Sequence, residues 1–324
     1  MDGSSPCERS RTAAFAEGWY VVCWSADLGP RTVMPLRYFG ENFVLFRGES
    51  GRPTLLDAHC PHLGAHLGYG GRIEGDEIVC PFHAWRFSAA GRCVDIPYAS
   101  RIPPKAAIRS YPIAEHSGMI LAYVGRRDAS PSYEVPPIEE LNDPAWTPLE
   151  RSEITIATQA REVIENIADR AHFLPVHRQN VESLELIIDG PRATQRTRGR
   201  GGTLDGKPIP VETVATYHGP AVQFTRLLWA YDMVLINAHI PIDERRLLLR
   251  FGVILRIPEG ATLSRDVVLQ HVAAARDGYF QDVAIWEHKR WRDQPLLADG
   301  DGPIGDIRQW YQSFFAETPV SDER

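Results

Sequence analysis

The sequence predicts an α+β protein of two domains, on three observations. Residues from Trp19 to about Gly125 read as short strands between turn residues, and residues 126–150 are rich in proline. Beyond them, long strand-like runs give way to helical apolar spacing. The 324 residues suffice for two cores, and 44% hydrophobic with 24% charged residues is the balance of an ordinary globular chain.

Residues 1–16 are small and polar and are expected to form a flexible terminus; they contain no apolar core of a signal peptide. The all-β expectation over 17–125 rests on WYVVCWS, NFVLFRG, PTLLDAH, DEIVCPF and MILAYVG, with Gly and Pro punctuating at 51–53, 68–72 and 89–93. Residues 126–150 hold too much proline for a regular helix or central strand and read as an inter-domain linker. In 151–324, EITIATQA reads as a strand and REVIENIADRAHFL (161–174) as a helix stopped by Pro175. Strand-like runs follow at ETVATYH, AVQFTRLLWAYDMVLINAHI and RRLLLRFGVILRI, and helical spacing returns around 278–292 and 303–315. A twisted antiparallel sheet wrapped around helices accounts for that order. The basic run 191–202 reads as a solvated Arg/Gly loop, with a docking loop for an acidic electron carrier as the functional alternative.

A net charge of −7 argues against a nucleic-acid partner, which would select basic stripes. No apolar run approaches the roughly 18 residues of a membrane span, so a cytoplasmic protein is expected. Cysteines stand at 7, 23, 60, 80 and 93. An odd count without an export signal favours metal ligation over a disulfide framework.

The strongest local signal is Cys60-Pro61-His62 followed, after seventeen residues, by Cys80-Pro81-Phe82-His83. Thiolates and neutral imidazoles bind iron or zinc. A zinc finger would pair like ligands in each turn, whereas here each turn supplies one Cys and one His. That mixed pairing suits a Rieske 2Fe–2S cluster, with two thiolates on one iron and two imidazoles on the other. A structural zinc site in an interaction module remains the alternative. The flanking sequence, CPHLGAHLGYGGRIEGDEIVCPFHAWRFSAAGRC, resembles the Rieske domain of ring-hydroxylating and related oxygenases, and Trp85 follows the second His as it does there. His59 and His66 lie off the pattern and read as surface or outer histidines.

The second half offers Asn166, Asp169 and His172 at intervals of three, then His177 beyond Pro175. A helix would carry the first three as a drifting stripe, and the proline turn would bring His177 back toward His172. Two imidazoles and a carboxylate make the facial triad of a non-haem Fe(II) site, open on its other face to O₂. An isolated Asp such as Asp282, in GYFQDVAIWEHKRW, is more often simply solvated. The spacing Asp-x-x-His-x₄-His followed by a distant carboxylate resembles the iron motif of Rieske oxygenase catalytic domains. That resemblance implies His172, His177 and Asp282 as iron ligands, with Glu287 as a weaker alternative. It also implies that Asp169 bridges His83 of one subunit to His172 of the next, carrying the electron across a head-to-tail homotrimer. Asn166 is a candidate for the iron pocket.

The C-terminal stretch QDVAIWEHKRWRDQPLLADGDGPIGDIRQWYQSFF, with IPYASRIPPKAAIRSYPIAEHSG, resembles bacterial 3-ketosteroid 9α-hydroxylase oxygenases and animal cholesterol 7-desaturases. The resemblance implies an N-terminal Rieske domain and a C-terminal helix-grip (START/SRPBCC-like) catalytic domain. It implies O₂-dependent hydroxylation or desaturation of a hydrophobic polycyclic substrate, with mono- and dioxygenation both open. The chain has no Gly-rich nucleotide fingerprint of its own, so NAD(P)H would act through a separate ferredoxin or flavin reductase. Phe224, Leu227, Trp229 and Met233 are candidates for the substrate pocket, though such residues are more often core. Two alternatives stay open: a tailoring oxygenase of an alkaloid or other natural product, and a Rieske electron-transfer or ligand-binding protein without catalysis.

Overall fold

The structure, a computed structural model, describes residues 15–126, 129–202 and 206–315. Of the expected flexible terminus, residues up to 14 (Cys7 among them) lie outside the described residues. The chain divides into two compact units, the first containing Trp19–Ser132 and the second running from Tyr133 onward and taking in Ala16–Gly18.

The first unit is all β. Its strands are β1 (Gly18–Trp24), β2 (Val33–Tyr38), β3 (Glu41–Arg47), β4 (Pro53–Asp57), β5 (Arg72–Glu74), β6 (Glu77–Val79), β7 (Arg86–Phe87), β8 (Cys93–Asp95), β9 (Ser110–Tyr111), β10 (Ile113–His116) and β11 (Met119–Val124). They form three small sheets, ordered β1-β11-β10, β2-β3-β4-β9 and β5-β6-β7-β8. Val44, Phe46 and Leu56 of the second sheet pack with Ile78 and Phe87 of the third. Cys60 and Cys80 belong to the same buried cluster, so the core itself anchors the two Cys–His loops.

The second unit is built on β12 (Glu150–Ile156), α1 (Ala160–Glu165), α2 (Phe173–His177), β13 (Asn180–Asp189), β14 (Arg192–Gly202), β15 (Pro208–His218), β16 (Val222–Leu228), β17 (Asp232–Pro241), β18 (Leu247–Leu255), α3 (Arg265–Phe280), α4 (Val283–His288) and α5 (Ile304–Gln312). The seven strands make one antiparallel sheet, ordered β12-β18-β17-β16-β15-β14-β13. Helices cover one face: α3 packs on Met233, Leu235, Phe251 and Val253 through Val268, and α1 and α5 pack on Ala193, Ala215 and Tyr217. Residues expected to be only a linker contribute to this unit. Leu149 approaches Gly252, Ile138 is buried, and Glu140 pairs with Arg226.

Several expectations need correction. The single helix over 161–174 is two short helices, because other hydrogen bonds replace the regular helical ladder in between. Asp169 Oδ1 accepts the His172 N–H, and Arg170 N–H bonds the Asp301 carbonyl. Asn166, Asp169 and His172 therefore share no helical stripe. Pro175 does not stop a helix; it is the third residue of α2, where an N–H would be unbonded anyway. The basic run 191–202 is no loop but β14, paired on both sides. Its period is two: Ala193, Gln195, Thr197 and Gly199 are buried while Arg196, Arg198 and Arg200 are exposed. Gly199 is required there, since a Cβ would sit 2.0 Å from the Asn180 carbonyl oxygen.

The run AVQFTRLLWAYDMVLINAHI is a hairpin, β16 and β17, turning at Trp229–Tyr231. Phe224 pairs with Thr216 and Ile236, so it faces away from α3, whereas Leu227, Trp229 and Met233 pack in the cluster under that helix. The C-terminal helical region begins earlier than 278. Ser264 caps α3 by accepting the Val267 N–H, and the chain breaks at Gln281–Asp282 before α4.

Candidate metal centres

The two Cys–His loops of the first unit are built alike. In one, Cys60 N–H bonds the Ala65 carbonyl and Gly64 N–H bonds the Cys60 carbonyl. In the other, Cys80 N–H bonds the Trp85 carbonyl and Ala84 N–H bonds the Cys80 carbonyl. The fifth residue of each loop takes the left-handed conformation, Gly64 at φ 76° and Ala84 at φ 57°. Non-glycine residues avoid that region, so Ala84 marks a turn imposed by its surroundings.

This pair of turns points both thiols inward and both imidazoles outward. Cys60 and Cys80 are buried, while His62 and His83 are half-buried with ring centres 4.6 Å apart. Burial, with Cys80 beside it, pushes the Cys60 thiol up to about 11. A bound cation would favour the thiolate. Trp85 stacks flat on His62, 4.8 Å between centres, and its Nε1–H donates to Tyr98 Oη at 2.8 Å. His59 and His66 form an isolated bridge pair, with rings 5.0 Å apart, outside this arrangement. Thiols face thiols and imidazoles face imidazoles, the division a Rieske cluster needs.

In the second unit, His172, His177 and Asp282 converge, with one donor atom from each within 4.8 Å of the others. Among the described residues this is the His/Cys/Asp/Glu group arranged for a single ion. His172 Nδ1 donates to the Asp169 main-chain carbonyl at 2.7 Å, which leaves a lone pair on Nε2. That Nε2 is buried and has no hydrogen-bond partner among the described residues. His177 Nδ1 bonds Gln281 Oε1 at 3.1 Å, turning its Nε2 to Asp282 Oδ2 at 3.3 Å. Burial depresses the His177 pKa, but the Asp282 carboxylate and Gln281 outweigh it and the net shift is upward. An orphaned ring nitrogen beside a buried carboxylate and a second imidazole fits a divalent cation.

Asn166 donates Nδ2 to Asp282 Oδ2 at 3.0 Å, so it holds the carboxylate. Asp282 lies at the break between α3 and α4, buried rather than solvated. The Asp169 carboxylate is 3.6 Å from His172 Nδ1 and accepts the His172 main-chain N–H at 3.3 Å. Burial would raise its pKa, yet the His172 bonds hold it below the ordinary value. Glu287 stands outside the cluster, its Oε1 accepting the Ala157 N–H. Gln281 was not singled out from sequence; its place immediately before Asp282 was the available signal.

Comparison with known proteins agrees with this arrangement. A Rieske [2Fe-2S] domain profile matches residues 18–112, and a 3-ketosteroid 9alpha-hydroxylase C-terminal domain profile matches residues 123–315. A 3-ketosteroid-9-alpha-monooxygenase oxygenase component of Rhodococcus rhodochrous is 34% identical over 96% of this chain and 85% of its own length. Cholesterol 7-desaturase of Caenorhabditis elegans is 29% identical over 94% of this chain and 77% of its own. The solved structure of apo dicamba monooxygenase superposes with a TM-score of 0.71 at 17% identity, covering 93% of this chain and 97% of that one, which establishes the shared fold. The cofactors of these oxygenases are a Rieske 2Fe–2S cluster and a mononuclear iron. With a family profile spanning most of its second unit and a Rieske profile spanning most of its first, the chain belongs to the Rieske oxygenases that carry the 3-ketosteroid 9α-hydroxylase C-terminal domain.

Proposed function

We propose that this chain is an oxygenase component that uses O₂ and NAD(P)H-derived electrons to hydroxylate or desaturate a C–H bond of a hydrophobic, steroid-like substrate. The observation that carries the reading is the convergence of His172, His177 and Asp282 around the orphaned Nε2 of His172, in a chain that also holds a Rieske loop pair. The steroid class is taken from the named activities of the relatives. Iron at the second site would supply O₂ activation, and the cluster would supply electrons one at a time.

The chain's own residues do the rest. Cys60, Cys80, His62 and His83 hold the cluster, with Trp85 packed on His62. His172, His177 and Asp282 hold the iron; Gln281 and the Asp169 carbonyl set the two imidazole tautomers, and Asn166 orients the carboxylate. Asp169 links a neighbouring subunit's His83 to His172 in a homotrimer. Residues 17–125 serve as the Rieske domain, 126–150 as the linker and 151–324 as the catalytic domain. The electrons come from a separate ferredoxin or flavin reductase, in a cytoplasmic setting.

Iron and acid-labile sulfide per chain test the reading, followed by turnover of a ketosteroid with an added reductase. About three irons and two sulfides with steroid oxidation is the expected result. About two irons and two sulfides would reduce the chain to an electron carrier and overturn it.

A further inference from the structure

Two polar side chains on the helix-facing side of β17 have a hydrogen-bonding atom with nothing to bond. Asn237 and His239 are two residues apart, so the strand pleat turns both to one face. Their register partners on β18 are Phe251 and Leu249. Phe251 packs on Tyr279 of α3, and Leu249 packs with Val163 of α1 and Trp286 of α4. The pair therefore faces the interior roofed by the segments that carry Asn166 and Asp282. Asn237 is 4% exposed and His239 is 2% exposed.

Each presents an acceptor. Asn237 Nδ2 donates to Gln223 Oε1 at 2.9 Å, and Thr225 Oγ1 donates to the same oxygen at 3.4 Å. The Asn237 carbonyl oxygen is left over, buried and without a partner among the described residues. One ring nitrogen of His239 bonds the Pro220 carbonyl, which can only accept, so that nitrogen carries the proton. Nε2 then holds a lone pair, and it too is buried without a partner. Burial holds His239 at about 4, so the ring is neutral at pH 7 and Nε2 remains an acceptor. Unpaired buried acceptors are rare because desolvation goes uncompensated, and two on adjacent inward positions of one strand call for a donor.

We infer that Asn237 and His239 form a polar end of the substrate site and select a polycyclic alcohol over the matching ketone. The inference rests on the steroid-like substrate proposed above. A hydroxyl brings a hydrogen to one of these acceptors, whereas a ketone has none to give and leaves both unpaired. A buried polar group left unpaired discriminates more strongly than an added apolar contact does.

The test is equilibrium binding of epiandrosterone and 5α-androstane-3,17-dione to the anaerobic holoenzyme, read by calorimetry. These ligands differ only in a hydroxyl or a ketone at one carbon. The alcohol is expected to bind about tenfold more tightly. The double variant Asn237→Leu/His239→Phe should reduce that preference to about twofold. Asn237→Leu with His239→Gln, which keeps one acceptor, should retain it. Cluster absorbance and thermal midpoint report folding, and the wild-type affinities decide alone where the double variant does not fold. Equal affinities in the wild type, a ketone preference, or a preference that survives the double variant overturns this inference and leaves the oxygenase reading standing. Binding of neither steroid would sink the steroid reading itself, and this inference with it.

Discussion

Asn166 donates its side-chain N–H to Oδ2 of Asp282 at 3.0 Å, joining residues 116 positions apart in the chain. A ligand carboxylate held in this way needs no reorientation when the metal arrives. Asn166→Ala is expected to weaken metal binding at the His172–His177–Asp282 site about tenfold. Titration of the iron-depleted second site with Co(II) would measure it, and the visible spectrum of the Rieske cluster should stay unchanged.

Asp169 is ionised at neutral pH, its carboxyl held below the ordinary value by bonds from His172 in spite of burial. Asp169→Asn keeps the size and main-chain position of the side chain and removes the charge. Both metal sites should stay occupied while reoxidation of the reduced cluster slows at least about tenfold. Stopped-flow absorbance measures the rate, and an iron assay on the same sample separates lost transfer from lost metal. Normal reoxidation would remove Asp169 from the electron path.

Gly199 and Gly201 lie two residues apart on β14, in different surroundings. A Cβ at Gly199 would meet the Asn180 carbonyl oxygen at 2.0 Å, while at Gly201 the nearest atom is Val211 Cγ2 at 3.1 Å. Gly199→Ala is expected to destabilise the protein by about 2 kcal/mol, because backbone must move at the bulged pairing with β13. Gly201→Ala should cost less than about 1 kcal/mol. Urea denaturation monitored by tryptophan fluorescence distinguishes the two.

Burial of His239 also makes stability depend on pH. The folded imidazole titrates near 4 and the exposed one near 6.5. Between those values the unfolded chain binds one more proton than the folded chain, so the stability is intact above 6.5 and is lost as pH falls. The slope is ~1.4 kcal/mol per pH unit for this one proton. His239→Gln removes the titrating group, and its thermal midpoint should fall less steeply than the wild type's from pH 6.5 to 5. Parallel curves would show that His239 does not carry this proton.

Much of the candidate site is legible because its Cys and His side chains come in pairs that are near in sequence. Cys60 and His62 share one tight turn, Cys80 and His83 another, and His172 and His177 stand at the two ends of α2. The distant carboxylate is different. Nothing local distinguishes Asp282 from Glu287 five residues on, and only resemblance singled it out. Folding separates them: Asp282 joins His172 and His177 with Asn166 on its oxygen, while Glu287 accepts the Ala157 N–H.

Composition and local motif determined the α+β plan and pointed to the two Cys–His turns and the histidine pair, since each depends on residues a few positions apart. Tertiary structure decided the rest. It interrupted the helix expected over 161–174, where Arg170 N–H bonds the distant Asp301 carbonyl, and it made the arginine-rich run an interior strand by pairing it with β13 and β15. Strand register decided that Phe224 faces away from α3 while Asn237 and His239 face inward. Register is not a property of one strand alone: a shift of one residue exchanges the two faces of a strand, and the hydrogen bonds that set it come from the strands paired on either side.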